Sequence, residues 1–311
     1  MIKSVEQALV TGGAGFVGSH LVNRLVEDGV TVTIVDDFSN GHEEWIPSNV
    51  TCIEGDLTDP AVVSEALSAN HDIVFHLAAA KSVNTDHPRQ QFEENSAMTY
   101  NLLERMDELG VDKFVFTSSS TVYGEAPRPT PEDYGPLEPI SPYGAGKLAD
   151  EGLVSTYAHT HDITAWTFRF ANIVGPRLRG AVIPDFIEKL RDDPETLTIL
   201  GNGRQEKSYM HIDDCLEAVF HVVEHADDPY NVYNLGTGTT TSVTEIADIV
   251  SDVLGLDPAY EYTGGDRGWT GDVPKMSLSI EKLSDLGWTP TYSSDRAVRQ
   301  SATELAAELS H

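Results

Sequence analysis

Thr11-Gly-Gly-Ala-Gly-Phe-Val-Gly18 decides how the rest of the chain is read. Before it lies Gln7-Ala-Leu-Val10, which predicts a strand, and after it an amphipathic stretch predicts a helix over about 16–28. Gly12, Gly15 and Gly18 therefore fall at GxxGxxG spacing in a strand-to-helix turn. Such a turn needs a missing Cβ in three places: for its tightness, for close approach of a pyrophosphate, and for packing of the helix on the sheet. The helix N-terminus adds positive potential for phosphate. The next strand, VTVTIVDD at 30–37, ends at Asp36-Asp37. A carboxylate there accepts hydrogen bonds from ribose hydroxyls and repels a 2′-phosphate, so the pattern favours NAD over NADP. Asp56-Leu57, after a third strand, is expected near the adenine.

Outward from this turn, strands and helices keep alternating: a helix near 60–69, DIVFHLAA at 72–79, a helix near 91–109, KFVFTSSS at 113–120, a Pro-rich loop over 125–142, a helix over about 143–160 and TAWTFRF at 164–170. Repeated βαβ units predict an α/β fold, a Rossmann-type doubly wound parallel sheet covered on both faces. Beyond about residue 172, Gly/Pro turns separate shorter elements, with helices near 213–226 and 243–254. They predict a smaller C-terminal α/β substrate-binding lobe, hence domains at 1–171 and 172–311, with about 209–224 returning to the first.

Composition narrows the function classes. The 311 residues are 40% hydrophobic, ordinary for a globular enzyme. No run reaches the roughly 18–20 apolar residues of a bilayer span, and no signal-peptide pattern is seen at the start, so a cytoplasmic protein without membrane partners is expected. Cys52 and Cys215 show no metal-ligand or disulfide pattern and are read as buried free thiols. Lys and Arg number 20 against 50 Asp and Glu, a net charge of −30, which excludes electrostatic binding to nucleic acid. Small scattered acidic groups, such as Glu43-Glu44 and Asp192-Asp193, predict a folded surface adapted to high salt. Against that background the few basic residues become candidates for holding an anionic substrate.

Tyr143-Gly-Ala-Gly-Lys147 places a phenol and an ammonium one helical turn apart, on one face. A nearby ammonium favours phenolate, turning a group that ordinarily titrates near pH 10 into a usable base. Upstream, Phe116-Thr-Ser-Ser-Ser-Thr-Val-Tyr-Gly124 sets hydroxyls at a strand end. In order, GxxGxxG, VDDFSNG, HLAAAKSV, TSSSTVYG, SPYGAGK and FRFANIVGPR resemble the extended short-chain dehydrogenase/reductase family, and within it the nucleotide-sugar 4-epimerases. The resemblance runs from about residue 8 to near 290.

What the resemblance implies is epimerisation at C4 of a nucleotide sugar, UDP-linked glucose or galactose in the first instance, through a transient 4-keto sugar with NAD as cofactor. Tyr143 is then the base, Lys147 its partner on the nicotinamide ribose, and Ser119 the catalytic hydroxyl. Cofactor contacts are implied at Gly12, Gly15, Phe16, Val17, Gly18, Asp36, Asp37, Asn40, Asp56, Leu57, Leu77, Ala78, Ala79, Lys81 and Asn95, besides Tyr143 and Lys147. Substrate contacts are implied at Lys81, Ser119 and Tyr143. Asn172 resembles a diphosphate contact, Val182, Ile183 and Phe186 the wall of a base pocket, and Arg267 with Asp272 the pair holding diphosphate and ribose. Arg suits phosphate because its planar fork grips two oxygens; Lys207 and Arg177 are further anion-holding candidates. Pairing through the helices near 91–109 and 143–160 implies a homodimer.

Departures are specific. Lys207-Ser208 stands where relatives show Arg-Asp, Met98 where Gly is common, the RGWTGD segment is longer than in bacterial epimerases, and Met276 occupies a gate position. A 4,6-dehydratase or decarboxylase shares the first oxidation but needs an acidic pair after the active-site hydroxyl, where this chain has Ser119-Ser120-Thr121. A sugar dehydrogenase would release NADH, and an NAD-sensing protein without chemistry would not need both Tyr143 and Lys147.

Overall fold

The computed structural model describes residues 5–80, 87–268 and 271–309. Strand and helix alternate as β1 Gln7–Thr11, α1 Phe16–Glu27, β2 Thr31–Asp36, β3 Thr51–Glu54, α2 Pro60–Ala66, β4 Ile73–His76, α3 Pro88–Leu109, β5 Lys113–Ser119, α4 Pro142–Thr160 and β6 Thr164–Phe170. There follow β7 Asn172–Val174, α5 Val182–Asp192, β8 Thr196–Ile199, β9 Glu206–Lys207, β10 Tyr209–His211, α6 Ile212–His225, β11 Tyr230–Leu235, β12 Thr241–Ser242, α7 Val243–Leu254, β13 Ala259–Tyr262, β14 Lys275–Met276, α8 Glu281–Asp285 and α9 Ser294–Glu308.

The main sheet is seven-stranded and parallel, in the order β11-β6-β5-β4-β1-β2-β3. Read from its edge, that is the 3-2-1-4-5-6 order of doubly wound nucleotide-binding folds, extended by one strand. In such sheets ligands gather where the order reverses, outside the strand C-termini, and here the reversal falls between β1 and β4. The core beneath is built from Leu9, Val35, Val74, Phe114 and Phe116 on the strands, with Leu102, Leu103, Met106, Val154 and Tyr157 from α3 and α4. Each such fully buried large side chain contributes about 1.5–3 kcal/mol by leaving water.

Local chemistry sets the helix ends. Ser141 caps α4 by accepting from the Gly144 N–H at 3.1 Å, and Pro142 sits where its missing N–H costs nothing. Gly110 ends α3 at φ 72°. The helix expected over 60–69 stops at Ala66, because Leu67 turns extended and the Ser68 N–H finds the His71 ring instead. Cys52, expected buried, is exposed: it lies on β3, the edge strand, while Cys215 is buried.

The chain divides into two interleaved compact units. The first comprises 1–122, 141–169 and 219–233, and the second 123–140, 170–218 and 234–311. The transition at 169/170 lies beside the sequence boundary at 171/172. The segment returning to the first unit is 219–233, and the Pro-rich loop joins the second. The second unit holds a three-stranded sheet β12-β9-β14 and the parallel pairs β7–β10 and β8–β13. No helix among the described residues is long and apolar enough to cross a membrane.

Candidate active site

In the first unit, the glycine turn is built as its spacing requires. Gly12 has φ 66°, and a Cβ there would lie 2.8 Å from the Ala78 nitrogen; one on Gly18 would lie 2.0 Å from the Gly12 oxygen. Gly15 starts α1 as its N-cap with no capping side chain, leaving the helix N-terminus bare. At the end of β2, Asp36 is buried and accepts from the Ala14 N–H and the Phe38 N–H, each at 2.9 Å. Its carboxylate therefore ties the glycine turn to β2 and keeps a negative charge beside it, although burial raises its pKa. Asp37 turns back onto Ser39, Asn40 donates to Ser39, and Asp56 caps the Thr58 N–H. Leu57 is core, its carbonyl taken by Asn101. A turn that only glycine can line, a bare helix N-terminus and an adjacent carboxylate fit an NAD diphosphate and ribose.

Across the reversal point, the Thr11 hydroxyl accepts from the Leu77 and Ala78 N–H groups at 3.2 Å and bonds the His76 ring at 2.8 Å. Asn95 grips the Ala80 backbone twice, at 2.8 and 3.0 Å, so its amide shapes this loop rather than reaching outward. Lys81 lies outside the described residues.

Tyr143 and Lys147 share a face at the start of α4, Tyr143 half-buried and Lys147 almost wholly buried. The Lys147 ammonium donates to the Thr117 carbonyl at 2.9 Å and stands 4.7 Å over the Phe116 ring. Burial lowers its pKa to about 8, against the pull of Asp150 and Glu151. The Tyr143 phenol is pushed up to about 12, by burial first and the Asp150 carboxylate second. His76 is driven down to about 3 by burial and by Lys147, so it is a neutral bridge from Thr11 to Thr99. Ser119, at the end of β5, accepts from the Thr121 N–H at 3.2 Å and the Thr121 hydroxyl at 2.9 Å. Both contacts use oxygen lone pairs, so its own O–H is not spent on Thr121.

The second unit gathers a different set. Lys207 donates to Asp272 at 2.6 Å, and the other oxygen of Asp272 takes the Gly268 N–H at 3.0 Å. Arg267 donates to the Asp272 carbonyl and to the Glu125 carboxylate. Lys207 thus meets Arg267 and Asp272 from a distant stretch of sequence, together with Glu125, which the sequence did not single out. Asn172 begins β7 beside β10, its amide 3.4 Å from the Ser208 carbonyl, and Met276 pairs with Lys207 across β14 and β9. Of the expected base-pocket residues, Ile183 and Phe186 are 0% and 2% exposed, and Val182 is half-buried. Arg177 donates its backbone N–H to Glu308 on α9 at 2.7 Å, and the Arg179 guanidinium meets the same carboxylate. Tyr123 of the VYG motif is structural, bonding Asn234 at 2.8 Å, and Gly124 at φ 62° passes against the Glu138 oxygen.

Residues 8–236 match the model of the NAD dependent epimerase/dehydratase family. A UDP-glucose 4-epimerase of Mycolicibacterium smegmatis is 33% identical over 298 residues, covering 91% of this chain and 93% of its own. Among solved structures, a UDP-galactose 4-epimerase is 42% identical with a TM-score of 0.89, covering 97% of this chain and 99% of its own. A UDP-glucose 4-epimerase of Thermotoga maritima, solved with UDP-glucose, is 32% identical with a TM-score of 0.89 and the same coverage.

Proposed function

The chain belongs to the NAD dependent epimerase/dehydratase family, and from that premise we propose that it interconverts a nucleotide sugar and its C4 epimer, UDP-glucose and UDP-galactose first. The observation that carries this reading is the Tyr143/Lys147 pair on α4, with its ammonium held by a neutral carbonyl, beside a hydroxyl at the end of β5. Bound NAD supplies the hydride acceptor and a positive ring.

Tyr143 takes the proton of the sugar 4-hydroxyl, directly or through Ser119, and returns it to the 4-oxygen once the keto sugar has turned to offer its other face for reduction. With burial and Asp150 holding its phenol at about 12, the base needs added positive charge to act. Lys147 provides a preorganised part of that charge at the moment of transfer. Gly12, Gly15, Phe16, Val17, Gly18, Asp36, Asp37, Asn40, Asp56, Leu57, Leu77, Ala78 and Ala79 are assigned to the cofactor's binding surface. Asn95 is assigned there indirectly, through the Ala80 backbone that it positions. In the second unit, Arg267, Lys207, Asn172, Asp272 and Val182 are assigned to the nucleotide. Elimination chemistry is disfavoured by the hydroxyl-only stretch Ser119-Ser120-Thr121.

The test is incubation with UDP-glucose and UDP-galactose separately, products read by NMR and NADH by absorbance. Interconversion without NADH accumulation supports the reading; steady NADH release replaces it with a dehydrogenase.

We assign a homodimer through α3 and α4, where Phe92 and Tyr100 are 39% and 43% exposed, large apolar surface that a partner copy would cover. The charge of −30 supports work at high salt, and the free thiols support a cytoplasmic setting.

A further inference from the structure

Tyr143, Lys147 and Asp150 follow one another at four and three residues, a single stripe along α4. Asp150 is 1% exposed. One of its oxygens accepts from the Ser96 hydroxyl on α3 at 3.2 Å, and the other is buried with no hydrogen-bond partner. Its neighbour Glu151 is answered in full, by Arg169 at 2.7 and 3.0 Å and by Ser118 at 2.5 Å. An ionised carboxylate held by one neutral donor is an expense that an alanine would avoid.

The charged or titratable groups around Asp150 are few. Its own helix offers Lys147, Tyr143 and the neutralised Glu151; β5 presents Thr117 and Ser118, without charge; α3 presents Ser96, its exposed Glu93 and half-buried Glu94 being bonded to Arg89 and Gln90. From β4 comes neutral His76, and Arg169 on β6 is committed to Glu151. The uncompensated charge of Asp150 therefore acts mainly on Lys147 and Tyr143.

We propose that Asp150 is a positioning residue that sets the protonation of the catalytic pair, keeping Lys147 an ammonium and Tyr143 a phenol until the positive cofactor ring arrives. The consequence is a base that is held off until the cofactor binds. The proposal rests on the reading of Tyr143 and Lys147 given above. The Asp150 carboxyl itself is raised to about 6, by burial before all else, so its influence fades in acid.

The test is a titration of Tyr143 phenolate by ultraviolet absorbance in NAD-loaded protein, with Tyr143→Phe as the blank, alongside the pH profile of kcat/KM. In Asp150→Asn the phenolate midpoint should fall by roughly one pH unit, about tenfold more phenolate at a given pH below it. Both limbs of the activity profile should move to lower pH, the alkaline one because Lys147 loses its counter-charge. Asp150→Ala, which removes the same charge without leaving an amide, should move the midpoint the same way by a similar amount, and serves if Asp150→Asn does not fold. A midpoint unmoved in the variant that folds overturns the proposal, whatever its kcat. The absorbance titration needs no turnover, so it is read even if nucleotide sugars prove not to be substrates.

Discussion

Lys147, buried, and Lys207, half-buried, are both cations of candidate ligand surfaces, and the protein treats them oppositely. In the first unit, Lys147 is 2% exposed and bonded to a carbonyl, and no carboxylate among the described residues lies within ion-pair distance of it. In the second unit, Lys207 is closed on Asp272 and Arg267 on Glu125. A cation facing a carbonyl keeps its field for the reacting group, whereas one facing a carboxylate must be released by the incoming anion. On the function proposed above, the first unit is preorganised for chemistry, and the second is screened until an incoming phosphate displaces its own acids.

The strongest challenge to this contrast is Tyr143→Phe. Turnover should fall by about 10³-fold or more while NAD stays bound; retained turnover would remove the base and with it the special standing of Lys147. Arg267→Ala should instead raise KM by roughly 10–100-fold with little change in kcat, the signature of a binding contact. An equal loss in kcat would make the second unit part of the chemistry.

A further paired cation in the second unit supplies a pH test. His211 sits between Glu304 at 3.0 Å and Asp213 at 3.4 Å, and these partners outweigh its burial to raise its pKa to about 9. A raised histidine stabilises fully below its ordinary value of 6.5 and loses that contribution as pH rises through about 9. Because its partners are partly exposed, about 1–2 kcal/mol is expected. Thermal unfolding should show the loss between neutral and alkaline pH, and His211→Asn should flatten it. Smallest is Glu125→Gln, which frees Arg267 and should lower KM about two- to threefold, since exposed pairs are weak; a raised KM would mean that Glu125 holds Arg267 in place rather than masking it.

What was legible in the sequence was local. GxxGxxG needs only neighbouring glycines, and α7 falls on its expected 243–254 because Ser242 and Glu245 form a capping box and Gly255 closes it at φ 70°. Tyr143 and Lys147 share a face by helix period alone. What was not legible depends on partners far along the chain. No local signal says that Glu125 meets Arg267, that the loop at 123–140 belongs with 234–311, or that Asn95 closes on Ala80. Cys52 was misread for the same reason, since edge or centre is a property of sheet order and not of a strand's own residues.

The central claim is that the sugar's C4 loses and regains its own hydrogen within one closed cycle that leaves no net redox change. The most direct measurement supplies UDP-glucose deuterated at C4 and follows the label by NMR in ordinary water. Deuterium retained at C4 of the UDP-galactose formed is the predicted result. Its loss to solvent, or its appearance in released NADH, would contradict the account.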